Sequence, residues 1–137
     1  AARNALAPDT EIVGVVAEGA SAYLQSFEAG AVRTTNEART SADGLAVRIP
    51  NEAALGHVID NVDHVVAVSD DAVLEAMGWI YADTHNIAEG AGAAAVAAVA
   101  SERASNAGHR VAAVLTGGNV AASLYTRALS TLGDSAP

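Results

Sequence analysis

The sequence contains no cysteine and no lysine, and all seven of its basic side chains are arginine. Without cysteine, disulfides, thiolate nucleophiles and cysteine-ligated metals are excluded from this chain. Without lysine, the chain has no side-chain amine with which to form a Schiff base. Aromatic residues make up only 4% of the sequence, so alanine and aliphatic side chains have to build most of the core.

Positive charge and long apolar runs are also scarce. Sixteen acidic residues against seven basic ones give a net charge of -9, which argues against nucleic acid as a partner because phosphates are repelled. The longest apolar run, residues 91–100, is too short to span a bilayer. The N-terminus shows no charged-then-apolar signal pattern. The sequence therefore predicts a cytoplasmic protein with neither a nucleic-acid partner nor a membrane span.

Hydrophobic patterning alternates between strand-like and helix-like segments. Such alternation indicates an α/β fold, here a three-layer αβα arrangement around a mostly parallel sheet, in one domain over residues 1–137. Pro8 should stop a first helix, Asn51 and Ser69 should cap two later ones, and Gly30 should end another. We predict strands over residues 11–16, 62–68 and 110–115, and further helices over residues 20–29, 51–59, 90–104 and 120–132.

Three glycine-containing turns are candidate ligand-binding segments. Leu115-Thr-Gly-Gly-Asn119 follows a predicted strand, and ligands of open parallel sheets bind at that end of the strands. A simple strand-to-helix turn explains its glycines equally well. Helix capping is the favoured explanation for Glu89-Gly-Ala-Gly92, and an ordinary turn for Ser41-Ala-Asp-Gly44. The four histidines show no metal-ligand spacing and are predicted to lie at the surface or to be satisfied by ordinary hydrogen bonds.

The order of the segments is more specific than any one of them. Five of them resemble, in order and spacing, segments of the threonine/serine dehydratase family, which are fold type II pyridoxal-phosphate enzymes. The five are residues 13–20 (VGVVAEGA, similar to GVEPEGA), 40–47 (TSADGLAV, similar to TIADGIAV), 62–69 (VDHVVAVS, similar to VDDVVLVS), 88–93 (AEGAGA, similar to VEGAGA) and 114–120 (VLTGGNV, similar to VLSGGNV).

This resemblance implies that the chain is the C-terminal part of the large lobe that binds pyridoxal phosphate. The Schiff-base lysine and the glycine-rich phosphate loop of the family would then lie upstream, and the chain would be inactive by itself. Thr116 stands where the family has a hydroxyl or thiol that hydrogen-bonds the pyridine nitrogen. Gly117 and Gly118 would let the backbone approach the cofactor, Glu89 would lie near its ring, and Gly44 near its reactive face. Thr116 is predicted to end a buried strand and to share a cleft with Glu89.

The resemblance further implies removal of water and ammonia from a small amino acid, threonine or serine, to give a 2-oxo acid. Val16 and Ala22 replace the acidic residues that hold a divalent cation in some members, so no metal is expected. The parent's missing N-terminal part, or self-association, would cover the exposed apolar surface of this chain. Two alternatives stay open: a non-catalytic or decayed α/β fragment, and part of a serine racemase-like enzyme.

Overall fold

A computed structural model describes residues 2–133, apart from the side chains of Ala2 and Asn4. Helices dominate, and two short strands form a parallel sheet, so the predicted α/β class is confirmed. Short 3₁₀ turns lie at Glu18–Ala20 and Asp43–Leu45. The main elements are α1 (Ala2–Leu6), β1 (Val13–Ala17), α2 (Ala22–Ala29), α3 (Glu52–Asn61), β2 (His64–Val68), α4 (Asp70–Thr84), α5 (Gly90–Ser101) and α6 (Ala122–Ser130).

The helix boundaries follow local signals in the sequence. The side chain of Asn51 accepts a hydrogen bond from the backbone N–H of Ala54 at 3.0 Å, which caps α3. The Ser69 hydroxyl accepts one from the N–H of Ala72 at 3.1 Å and caps α4 in the same way. Gly30 ends α2 with a left-handed φ of 62°, a conformation that glycine adopts without steric cost. These three predicted boundary residues are therefore confirmed, and α1 ends at Leu6, two residues before Pro8, the fourth.

The sheet pairs β1 with β2 in parallel. Its register runs from Val13 opposite His64 to Ala17 opposite Val68. Between the two strands the chain passes through α2, a long loop and α3, as a parallel connection requires. Two of the three predicted strands are thus confirmed within one or two residues of their expected ends.

The predicted third strand over residues 110–115 is wrong. Within the part of the chain that the structure describes, no backbone group of residues 110–116 forms a backbone hydrogen bond. Val111, Val114 and Leu115 are 47%, 73% and 42% exposed. Apolar β-branched residues form a strand only when a neighbouring strand completes the ladder, and residues 110–115 pair with neither β1 nor β2. The segment has strand-like composition without a strand partner.

Alanine-rich packing of α5 builds the core. This helix packs across both strands and against α4, and α4 in turn packs against α6. Ala93, Ala94, Ala97 and Ala98 of α5 are almost fully buried, because their small side chains let neighbouring elements approach closely. Met77 of α4 is completely buried within the same cluster. No helix within residues 2–133 is long and apolar enough to cross a membrane.

Candidate functional site

A cavity of about 270 Å³ opens where three segments of the chain meet. One wall is the loop before α3, the second is the start of α5, and the third is the entry into α6. Two carboxylates, Asp43 and Glu89, face it, and no basic side chain is among its lining residues. The lining consists of Ser41, Asp43, Gly44, Glu89, Gly90, Ala91, Asn119, Val120, Ala121 and Leu124.

Glu89 occupies the N-cap position of α5, but its side chain does not cap the helix. The capping explanation favoured by the sequence is therefore wrong. Its backbone N–H donates instead to the carbonyl oxygen of Gly117 at 3.1 Å. Among the described residues the carboxylate has no hydrogen-bond or salt-bridge partner, which leaves it available to a ligand in the cavity.

Glycines allow the 116–118 turn to pack directly onto the start of α5. A Cβ on Gly117, which has a φ of 72°, would lie 2.5 Å from the Glu89 carboxyl carbon. A Cβ on Gly92 would overlap the carbonyl oxygen of Thr116, and one on Gly118 would lie 3.0 Å from the carbonyl oxygen of Ile87. Gly92 is therefore required by a close backbone approach, and Gly118 makes a tight one. Gly117 instead lies against the Glu89 side chain and has the left-handed φ that glycine adopts without steric cost.

Gly44 closes the cavity from the opposite loop. A Cβ at this position would lie 2.8 Å from the Cβ of Ala91 and 3.9 Å from Oε1 of Glu89. Nearby, a Cβ on Gly90 would lie 3.0 Å from the Cα of Ala42. The loop is thus pressed against the first turn of α5 at two points, which brings Gly44 beside Glu89.

Thr116 departs from its predicted position. It is exposed, follows no strand, and does not line the cavity with Glu89. The physical reason is the unpaired 110–115 segment, which gives Thr116 no strand end to occupy. Its carbonyl oxygen nevertheless rests on Gly92 of α5. The structure therefore places Gly44 and Glu89 in the cavity, and it places the 116–118 backbone against Glu89, Ile87 and Gly92 without bringing the Thr116 side chain into the cavity.

Asp70, in the first turn of α4, is a residue that the sequence analysis did not connect with the site. Its Oδ1 accepts from the Thr40 hydroxyl, and its Oδ2 accepts from the backbone N–H of Ser41, each at 2.6 Å. Burial acts to raise the pKa of Asp70, but the hydrogen bonds from Thr40 and Ser41 and the charge of Arg127 outweigh it and lower that pKa from 3.8. A contact between residues this far apart in sequence leaves no local pattern to detect.

The histidines lie away from the cavity lining. His64 on β2 sits between two glutamates, with Nδ1 3.0 Å from Glu11 and Nε2 3.9 Å from Glu102. His85 ends α4 in a left-handed conformation and meets the ring of Tyr81 edge-on. Within residues 2–133, no group of three or more His, Cys, Asp or Glu is arranged to hold a metal ion.

Comparisons with known proteins match nearly the whole chain. A family model described as pyridoxal-phosphate dependent enzyme matches residues 1–117. The L-threonine ammonia-lyase of Thermotoga maritima is 31% identical over 123 residues, covering 90% of this chain and 30% of that protein. The processed form of threonine deaminase isoform 2 from Solanum lycopersicum superposes with a TM-score of 0.87 at 28% identity, over 96% of this chain and 39% of that one.

Maize serine racemase is a further structural relative, with a TM-score of 0.81 at 27% identity, over 95% of this chain and 41% of that one. The chain therefore spans well under half the length of each of these relatives.

Proposed function

This chain belongs to the pyridoxal-phosphate dependent enzyme family, and we propose that it is the C-terminal portion of a dehydratase acting on threonine or serine. The product of such an enzyme is a 2-oxo acid, formed by loss of water and ammonia. The observation that carries the proposal is the cluster of Gly44, Glu89 and the 116–118 turn, which the order of the sequence motifs had singled out. In this proposal residues 1–137 form one unit within the large cofactor-binding lobe.

The cavity suits the ring of pyridoxal phosphate better than its phosphate. Ser41, Glu89 and Asn119 offer hydroxyl, carboxylate and amide groups to a polar ring. Among residues 2–133, no lining residue carries a positive charge that would neutralise a phosphate, and we propose that other residues of the parent protein hold that group. When bound, the cofactor supplies an electron sink for negative charge that develops at the substrate α-carbon.

Each residue of the cluster has a proposed task. The Thr116 hydroxyl hydrogen-bonds the pyridine nitrogen without protonating it, which favours elimination over transamination. Glu89 holds a polar edge of the ring with its unpaired carboxylate. Gly44 leaves space at the reactive face, while Gly117 and Gly118 let the backbone approach. Thr116 reaches this position once residues 110–115 pair with a neighbouring strand of the parent protein.

The chain by itself is proposed to be catalytically inactive. The family's chemistry requires a lysine amine as covalent anchor and base, and this sequence has no lysine. The chain also spans only 30% of the Thermotoga relative, and residues 110–115 lack a strand partner. Activity therefore depends on a polypeptide that supplies the remaining part of the fold.

A chimera tests the proposal directly. The region of the Thermotoga L-threonine ammonia-lyase that matches this chain is replaced by this chain. Formation of 2-oxobutanoate from threonine and of pyruvate from serine is then followed. We expect turnover in the chimera and none from the isolated chain.

Variants of Thr116 in the chimera test its proposed role. Thr116→Ser keeps the hydroxyl and should retain activity, whereas Thr116→Val should lower the turnover rate at least about tenfold, which corresponds to about 1.4 kcal/mol of activation free energy. A folded, cofactor-loaded chimera without turnover would favour the non-catalytic alternative.

Serine racemisation is the second candidate function, favoured by the structural likeness to maize serine racemase. The same chimera distinguishes the two activities, because racemisation converts L-serine into D-serine without releasing ammonia. Measuring both D-serine and ammonia from one reaction decides between them. Ammonia release in excess of D-serine supports the dehydratase assignment, and the reverse supports the racemase.

A further inference from the structure

The carboxylate of Asp70 at the start of α4 accepts hydrogen bonds from both Thr40 and Ser41. Asp70 Oδ1 accepts from the Thr40 hydroxyl and Oδ2 from the Ser41 N–H, both at 2.6 Å. The Thr40 oxygen also accepts from the backbone N–H of Ala42 at 3.0 Å. The Asp70 carboxylate thus holds the Thr40 hydroxyl and the Ser41 N–H directly, and it holds the Ala42 N–H indirectly through Thr40. Hydrogen bonds to a charged acceptor are stronger than those between neutral groups.

The same loop forms a wall of the cavity. Ser41, Asp43 and Gly44 face the cavity, and Ala42 is 1% exposed because it packs under Gly90. The loop is therefore held on one side by Asp70 and pressed on the other side against α5. Without the hydrogen bonds to Asp70, the loop would no longer be held in one position against α5, and the distance between Gly44 and Glu89 would no longer be fixed.

We infer that Asp70 is a positioning residue, whose carboxylate holds residues 40–44 in place and thereby sets the width of the cavity between Gly44 and Glu89. Its importance for a cofactor rests on the proposed function, but its effect on the loop does not. Asp70 is not among the residues that line the cavity, and it acts on the loop through Thr40 and Ser41.

Asp71 provides a matched control within the chain. It follows Asp70 in the first turn of α4, so both carboxylates interact with the positive end of the helix dipole. Asp71 is exposed and takes part in no hydrogen bond among the described residues. A difference between substitutions at these two positions therefore measures the loop contacts and not the charge of the helix terminus.

Amide hydrogen exchange of the ligand-free chain tests the inference. In Asp70→Ala, exchange of the Ser41 and Ala42 amides should accelerate at least about tenfold, since one charged hydrogen bond contributes that much protection. Asp71→Ala should change these rates less than about twofold. Equal rates in wild type and Asp70→Ala would overturn the inference.

A second pair of variants serves if Asp70→Ala does not fold. Thr40→Val removes one hydrogen bond to Asp70 and frees the Ala42 N–H, whereas Thr40→Ser keeps the hydroxyl. The chemical shift of the Ser41 amide proton should report the titration of Asp70. Burial acts to raise the pKa of Asp70, but its hydrogen bonds and the charge of Arg127 on α6 lower that pKa below 3.8. Thr40→Val should move that midpoint upward, and Thr40→Ser should restore it. An unchanged midpoint in Thr40→Val would overturn the inference.

These measurements are independent of the proposed function. A loop that loosens in Asp70→Ala supports the positioning role even if the chimera shows no turnover. An active chimera whose loop is unaffected by Asp70→Ala would support the proposed function and remove Asp70 from it.

Discussion

Gly92 is the helical glycine whose replacement should be most damaging. A Cβ there would overlap the Thr116 carbonyl oxygen, whereas a Cβ on Gly56 of α3 meets nothing within 4 Å. Gly92→Ala should destabilise the chain by about 1–3 kcal/mol, because backbone has to move. Gly56→Ala should stabilise it by about 0.5–1 kcal/mol through helix propensity. Urea unfolding of both variants measures these changes in stability. A stabilising Gly92→Ala would show that the 116–118 turn does not pack against α5.

Ser26 has a structural task in α2. It is fully buried, donates to the Ala22 carbonyl at 2.7 Å and accepts from the Arg33 N–H at 2.8 Å. Ser26→Ala leaves that N–H without its partner and should cost about 1–3 kcal/mol. Ser130→Ala, at an exposed helical serine that donates to Thr126, is the control and should change the free energy of unfolding by less than about 0.5 kcal/mol.

The absence of lysine predicts the pattern of covalent labelling by pyridoxal phosphate. After borohydride reduction, peptide mapping of the isolated chain should find no modified side chain, because the α-amine is its one primary amine. Arg103→Lys places an amine at an exposed position and serves as the positive control for detection. A modified side chain in the unaltered sequence would contradict the prediction.

At the scale of elements, residues 110–116 should behave unlike β1 and β2. At concentrations low enough for the chain to be monomeric, their amides should exchange at nearly unprotected rates, while the ladder amides of β1 and β2 are slowed by about 100-fold or more. Val114→Thr, at a side chain 73% exposed, should change stability by less than about 0.5 kcal/mol. Val68→Thr, at a side chain 2% exposed on β2, should cost about 1–3 kcal/mol. Equal costs would show that residues 110–116 are packed.

Sequence patterns predicted those elements whose signals are local. Asn51, Ser69 and Gly30 mark helix ends through contacts within a few residues, and each was identified from the sequence. A strand also needs a partner, so the apolar β-branched composition of residues 110–115 was insufficient. The glycine turns of the site were recognisable from residue type and order. The link from Asp70 to Thr40 was not, because it depends on how the loop folds back onto α4.

At the scale of the whole molecule, exposed apolar side chains predict self-association. Val111, Val114 and Leu115 are all at least 42% exposed and lie close together in sequence. Two further apolar side chains, Ile87 and Trp79, are 54% and 39% exposed. We expect light scattering after size exclusion to show species larger than a monomer, with binding of a dye that reports apolar surface. Added salt should strengthen association by screening the net charge of -9.

A triple variant identifies the surface responsible. Replacing Val111, Val114 and Leu115 by threonine should shift the chain toward monomer, whereas Val13→Thr on β1, at a side chain 36% exposed, should have little effect. A compact monomer of the unaltered chain, with a cooperative melt and no dye binding, would contradict the proposal that it is part of a larger fold.

The parallel pairing of β1 with β2 also has a kinetic consequence. Every rung joins residues distant in sequence, from Val13 with His64 to Ala17 with Val68, so closing the ladder costs the entropy of a long loop. By contrast, α4 and α5 are joined by residues 85–89 and pack extensively on each other. High contact order slows folding, so the α4–α5 hairpin should form in the transition state before the ladder. Core substitutions in that hairpin should then slow refolding, while substitutions in the ladder should mainly accelerate unfolding.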